Sequence, residues 1–231
     1  MRFVNMIRAN PFSLLVSLPS NNLELAKAAL EGGADAIKVH CNVWHRASGH
    51  SFGTYEENRE FIRELIALCG DIPVGLMPGT SEAFITEADC RELEEMGLSF
   101  VSAYSHHLPC FMMDSEKLTN AVAIDYTYSD STLDAVRDSD IEVLECSIMK
   151  GEEYGTNLTY ADVLRYGEIV KKTGKPCVVP TQKKIKPSEV KHLYRAGCKA
   201  LMIGAVVTGQ EPTPEEFRET VCAFREAVDA L

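Results

Sequence analysis

The sequence is short of basic charge. Its 23 lysines and arginines stand against 34 aspartates and glutamates, a net charge of −11 over 231 residues. Such a chain has few counterions to release, which excludes nucleic acid as its main partner. It also has no apolar run of about 18 residues, so no membrane span is expected. The eight cysteines (Cys41, Cys69, Cys90, Cys110, Cys146, Cys177, Cys198 and Cys222) form no C-x-x-C pair and show no metal-type spacing. They read as buried free thiols of a cytoplasmic protein rather than as a disulfide framework. PFSLLVSLP, near the start, lacks an A-x-A-like cleavage site and reads as a first strand, not a signal core. No linker, low-complexity segment or long charge run divides residues 1–231, which read as a single domain.

What the chain does have is a repeated rhythm. Short apolar, β-branched runs alternate with helix-length segments whose apolar residues recur every three or four positions. Strands are expected at 13–19, 36–43, 73–79, 100–106, 121–128, 142–149, 176–182 and 200–207. Helices are expected from near Asn22, Thr54, Thr86, Ser115, Asp130, Thr159, Lys186 and Thr213. TYEE at 54–57 and TPEE at 213–216 place a capping residue three positions before a glutamate. Eight such units imply a parallel sheet, and eight is the number that closes an α/β (β/α)8 TIM barrel with an outer ring of helices. A doubly wound open sheet is the alternative. It normally opens on a glycine-rich turn, and the first turn here reads PSNNLE.

A barrel of this kind carries its site at the C-terminal ends of its strands. Alternation on 36–43 sends Ile37, Val39 and Cys41 to the helix layer, leaving Lys38, His40 and Asn42 inward. The same reading turns Asp125 inward on 121–128, and Glu145 inward on 142–149 with Ser147 beyond it. Inward carboxylates beside an inward lysine suit acid–base work, because neighbouring charges drive pKa values apart. A purely structural ion pair of Lys38 with Asp125 or Glu145 is the alternative. If 100–106 runs Ser102, Tyr104, His106 inward, His106 joins His40 at the rim. A divalent metal at His40, His106 and a carboxylate is then the competing reading. It is disfavoured because those residues come from separate strands without diagnostic spacing, and no cofactor is expected.

The long loop at 44–53 holds the only tryptophan, Trp44, together with Arg46, and reads as a substrate clamp or a homodimer contact. His45 and His50 in it read as surface residues. Gln182, Lys183 and Lys184 follow one late strand, and Gly204 and Ala205 lie in the last, the sector where many barrels seat a phosphate.

RAGCKALMIGAVVTG (195–209) and AIDYTYSDSTLDA (123–135) resemble segments of the ribulose-phosphate-binding superfamily of TIM barrels. That superfamily includes ribulose-phosphate 3-epimerases, N-acylmannosamine-6-phosphate 2-epimerases and tryptophan-pathway barrels. The resemblance implies phosphate contacts at Gly204 and Ala205 and a reacting-centre role for Asp125. Strand 73–79 has neither the histidine nor the lysine found in those epimerases, and PTQKK stands where an acidic residue and glycines are usual. The expected activity is sugar-phosphate isomerisation or epimerisation by proton transfer beside a carbonyl, on a small anionic metabolite. Alternatives are a lyase using Lys38 as a Schiff base and a non-catalytic phosphometabolite-binding barrel.

Overall fold

A computed structural model describes residues 2–231. The chain begins with helix α1 (Phe3–Ala9), then strand β1 (Ser13–Ser17), α2 (Leu23–Glu31) and β2 (Ala36–His40). A small antiparallel hairpin of β3 (Val43–His45) and β4 (His50–Phe52) follows, and then α3 (Tyr55–Cys69), β5 (Val74–Met77), α4 (Glu87–Met96) and β6 (Phe100–Tyr104). The second half runs β7 (Thr119–Ile124), α5 (Asp130–Asp138), β8 (Val143–Cys146), α6 (Tyr160–Thr173), β9 (Cys177–Pro180), α7 (Val190–Arg195), β10 (Ala200–Ile203), α8 (Ala205–Thr208) and α9 (Pro214–Asp229). Eight of the strands close a parallel barrel in the order β1-β10-β9-β8-β7-β6-β5-β2, with the hairpin outside it. This is the (β/α)8 barrel that the eightfold rhythm implied.

The helix starts follow local chemistry. Thr54 with Glu57, Thr86 with Asp89, Thr159 with Asp162 and Thr213 with Glu216 each form a reciprocal capping box, satisfying amides that the first helical turn leaves without partners. The helix expected from Ser115 does not form. A 3-10 turn at Cys110–Asp114 takes its place, and the Ser115 hydroxyl accepts from the Leu118 amide at 3.0 Å immediately before β7 begins. The last strand stops at Ile203 instead of continuing to 207, because Gly204 caps the helical turn α8.

Periodicity gave no sign of α1, which plugs the N-terminal floor of the barrel. Phe3, Val4, Met6 and Ile7 are buried there against the first inward residues of the strands, including Ala36, Ala121, Val143 and Ala200. The Phe3 ring stacks on Phe100 with centroids 3.9 Å apart. Beside them, Gly75 has no side chain because none fits: an added Cβ would lie 2.1 Å from the Phe100 ring. All eight cysteines are free thiols, with Cys110 exposed and Cys222 half-buried. Among the described residues, no helix is long and apolar enough to cross a membrane.

Candidate active site

Strand alternation carries the site as expected. Ile37, Val39 and Cys41 join the outer core, as do Leu144 and Cys146, which leaves Lys38, His40 and Glu145 facing the barrel interior. Lys38 Nζ donates to Ser102 Oγ at 2.8 Å and lies 3.3 Å from Glu145 Oε2. Ser102 also donates to that carboxylate oxygen, while Ser147 Oγ donates to Oε1 at 2.9 Å. Charges this deep, each 6% exposed, are tolerable only when paired and hydrogen-bonded, and here they are both.

These groups line a cavity of about 260 Å³ at the C-terminal mouth of the barrel. On the β2 side its wall holds His40 and His45, with ring centroids 4.4 Å apart, and Phe52 packs 4.7 Å from His40. Burial, aided by the neighbouring histidine and Lys38, holds His40 well below its ordinary pKa. Burial and Lys38 lower His45 to about 4. Both rings are therefore neutral near pH 7. His45 is thus a wall residue and not the surface residue its loop position suggested. On the opposite side Gln182 is fixed by two bonds: its Oε1 accepts from the Met149 amide at 3.0 Å, and its Nε2 donates to Tyr154 Oη at 2.6 Å. Burial, with Tyr154 and Glu145 nearby, pushes the Tyr104 phenol well above its usual pKa.

Of the residues singled out from the sequence, Lys38, His40, Glu145, Arg46, Gln182, Gly204 and Ala205 line the cavity. Asn42, His106, Asp125, Lys183 and Lys184 do not. Asn42 lies beyond the end of β2 with φ 53°, its amide accepting from Tyr55 N and donating to Pro78 O, both at 3.1 Å. These bonds tie the root of the hairpin to the loop after β5 and to the start of α3. Asp125 follows the last residue of β7, and its carboxylate turns back to accept from Thr127 N at 2.8 Å and Thr127 Oγ1 at 2.6 Å. His106 leaves β6 with it, 3.8 Å from Asp125, and His107 takes its place in the wall.

Lys183 is buried away from the cavity, donating to Thr156 Oγ1 at 3.0 Å with Glu153 at 3.4 Å and Asp162 at 3.7 Å. Lys184 is exposed, and its backbone is tied to Thr156. Gly204 keeps its place, but its amide already donates to Thr181 Oγ1 at 2.9 Å. Among the described residues, no group of three or more histidines, cysteines or carboxylates is placed to hold a metal ion. Tyr154 and His107 were not foreseen as wall residues. Both lie in loops, where no periodicity tells which way a side chain points.

The cavity at the strand ends of a closed (β/α)8 barrel defines the structural class. No protein-family model matches the chain. No curated protein matches it either. Solved structures do. The tryptophan synthase A-subunit from the hyperthermophile Pyrococcus furiosus superposes with a TM-score of 0.68 at 14% identity, covering 93% of this chain and 98% of that one. KGPDC from Streptococcus mutans gives 0.67 at 13% identity over 96% and 99% of the two chains. Thiamine phosphate pyrophosphorylase from P. furiosus gives 0.64 at 15% identity over 96% and 97%. At such identities the likeness establishes the fold alone.

Proposed function

We propose that the chain is an enzyme of the ribulose-phosphate-binding superfamily. On this reading it acts on the carbonyl group of a small anionic metabolite, a sugar phosphate, through the Lys38 amine. The observation that carries the reading is the contact of Lys38 Nζ with Glu145 in the cavity wall. A proton passed from the ammonium to Glu145 frees the amine to attack the carbonyl carbon. The nitrogen passes a proton to the alkoxide so formed, and Glu145 returns its own proton to the resulting hydroxyl, which leaves as water. The C=N⁺ bond draws electrons from the adjacent C–H bond, whose proton the re-ionised Glu145 takes, or from the adjacent C–C bond, whose other carbon leaves as a carbonyl. Because the iminium is itself the electron sink, the reading calls for no added cofactor.

The expected epimerisation used Lys38 or His40 with one carboxylate, Asp125 or Glu145; Asp125 lies outside the cavity, so Glu145, the proton partner of Lys38, is the carboxylate left to either reading. The second reading keeps isomerisation or epimerisation without a covalent bond, with the Lys38 ammonium polarising the carbonyl oxygen and Glu145 as the base. It is supported by the two acceptors, Ser102 and Glu145, that already hold Lys38.

Borohydride reduction in the presence of dihydroxyacetone phosphate, ribulose 5-phosphate or pyruvate separates the two. A reduced adduct on the peptide containing Lys38, lost in Lys38→Ala, is the expected result. No adduct, but deuterium exchange from heavy water into the probe, moves the assignment to the second reading. Neither adduct nor exchange, with any probe, overturns the enzymatic reading.

A further inference from the structure

The cavity needs a seat for the anion of such a substrate, and the sector where it was expected has no cation to spare. Lys183 is consumed by Glu153 and Asp162, Lys184 stands outside, and the Gly204 amide is taken by Thr181. Within the wall the charges are few. Lys38 is cancelled by Glu145, and His40, His45 and His107 are all shifted toward the neutral form. One cation is left, Arg46, and it has no carboxylate partner among the described residues.

Arg46 is carried by the β3–β4 hairpin, yet its guanidinium reaches across to the loop after β8. An added Cβ on Gly151 would lie 3.1 Å from both Arg46 Cζ and Nη1, which places the guanidinium against the Gly151 backbone. A planar fork of donors at the cavity mouth, beside the loop after β8 and in no salt bridge among the described residues, matches a phosphate dianion.

Resting on the reading that the cavity takes a phosphorylated metabolite, we propose that Arg46 is the phosphate seat. The substrate then lies with its phosphate under the hairpin and its carbonyl toward Lys38.

The chain carries its own reporter, since Trp44, its only tryptophan, lines the same cavity and is 60% exposed. Full-length protein is titrated with inorganic phosphate, ribose 5-phosphate and ribose, followed by Trp44 emission and by calorimetry. The two phosphate-bearing probes are expected to bind saturably and ribose not to bind. Arg46→Ala should weaken ribose 5-phosphate at least tenfold, and Arg46→Lys less. Lys184→Ala should stay within twofold of the parent. Undiminished binding in Arg46→Ala, loss in Lys184→Ala, or no calorimetric response to either phosphate probe overturns the assignment. Because the titration needs no turnover, it stands apart from the Lys38 chemistry. A missing borohydride adduct with intact Arg46-dependent binding removes the mechanism and leaves the seat.

Discussion

Lys38 Nζ and Glu145 Oε2 face each other at 3.3 Å across the barrel interior, each on a side chain only 8% exposed. They come from β2 and β8, separated by 107 positions in the chain. Removing one member strands a buried charge, a loss that typically costs about 3–5 kcal/mol. Lys38→Met and Glu145→Gln are each expected to destabilise the fold on that scale in urea unfolding. The double variant should lose less than the sum of the two, because it leaves no unpaired charge. Strict additivity would mean that the pair is not coupled.

Acid should weaken the fold through His45. Its pKa is about 4 when folded against 6.5 ordinarily, so the unfolded chain binds the proton first. Stability from this group is present above pH 6.5 and is lost as pH falls from 6.5 towards 4, by about 3 kcal/mol at most. His40 is shifted in the same direction. Unfolding midpoints measured across that window should show a shallower acid limb in His45→Gln.

The floor of the barrel is close-packed around Phe3 and Phe100. Phe3→Ala removes a fully buried stacked ring and should cost about 3–5 kcal/mol. Gly75→Ala drives a methyl into the Phe100 ring, and a cost at the top of the about 1–3 kcal/mol range for overpacking is expected. The same change in a Phe100→Leu background should cost less, since the ring it strikes is gone.

Asn42 holds the hairpin at its root in a left-handed conformation. Asn42→Ala loses both hydrogen bonds and is strained at that φ, whereas Asn42→Gly loses the bonds without the strain. Hydrogen exchange in Val43–Phe52 should therefore rise in both variants, with global stability falling further in Asn42→Ala. Equal protection of the hairpin in all three proteins would show that Asn42 does not anchor it.

Much of the site was legible because strands alternate. Once 36–43 is read as a strand with an apolar outer face, Lys38 and His40 must point inward, and the same holds for Glu145 between Leu144 and Cys146. The reading failed where a strand ended sooner than its apolar run. Asn42, Asp125 and His106 were placed by extending alternation past His40, Ile124 and Tyr104, where the backbone had already turned. Lys183 failed for another reason. A lysine beside a strand end has several carboxylates within its reach, and only the folded loop shows that Glu153 and Asp162 claim it.

Local patterns by themselves determined the eight strands, most helix starts and so the closed barrel, because capping chemistry and apolar period act over a few residues. The tertiary structure alone decided which charges are spent on one another and which stays free. Those pairings join residues from distant elements, as Lys38 does with Glu145 and Lys183 with Glu153 and Asp162, while Arg46 is left unpaired among the described residues. Only closure of the barrel and folding of its mouth loops bring them within a few ångströms.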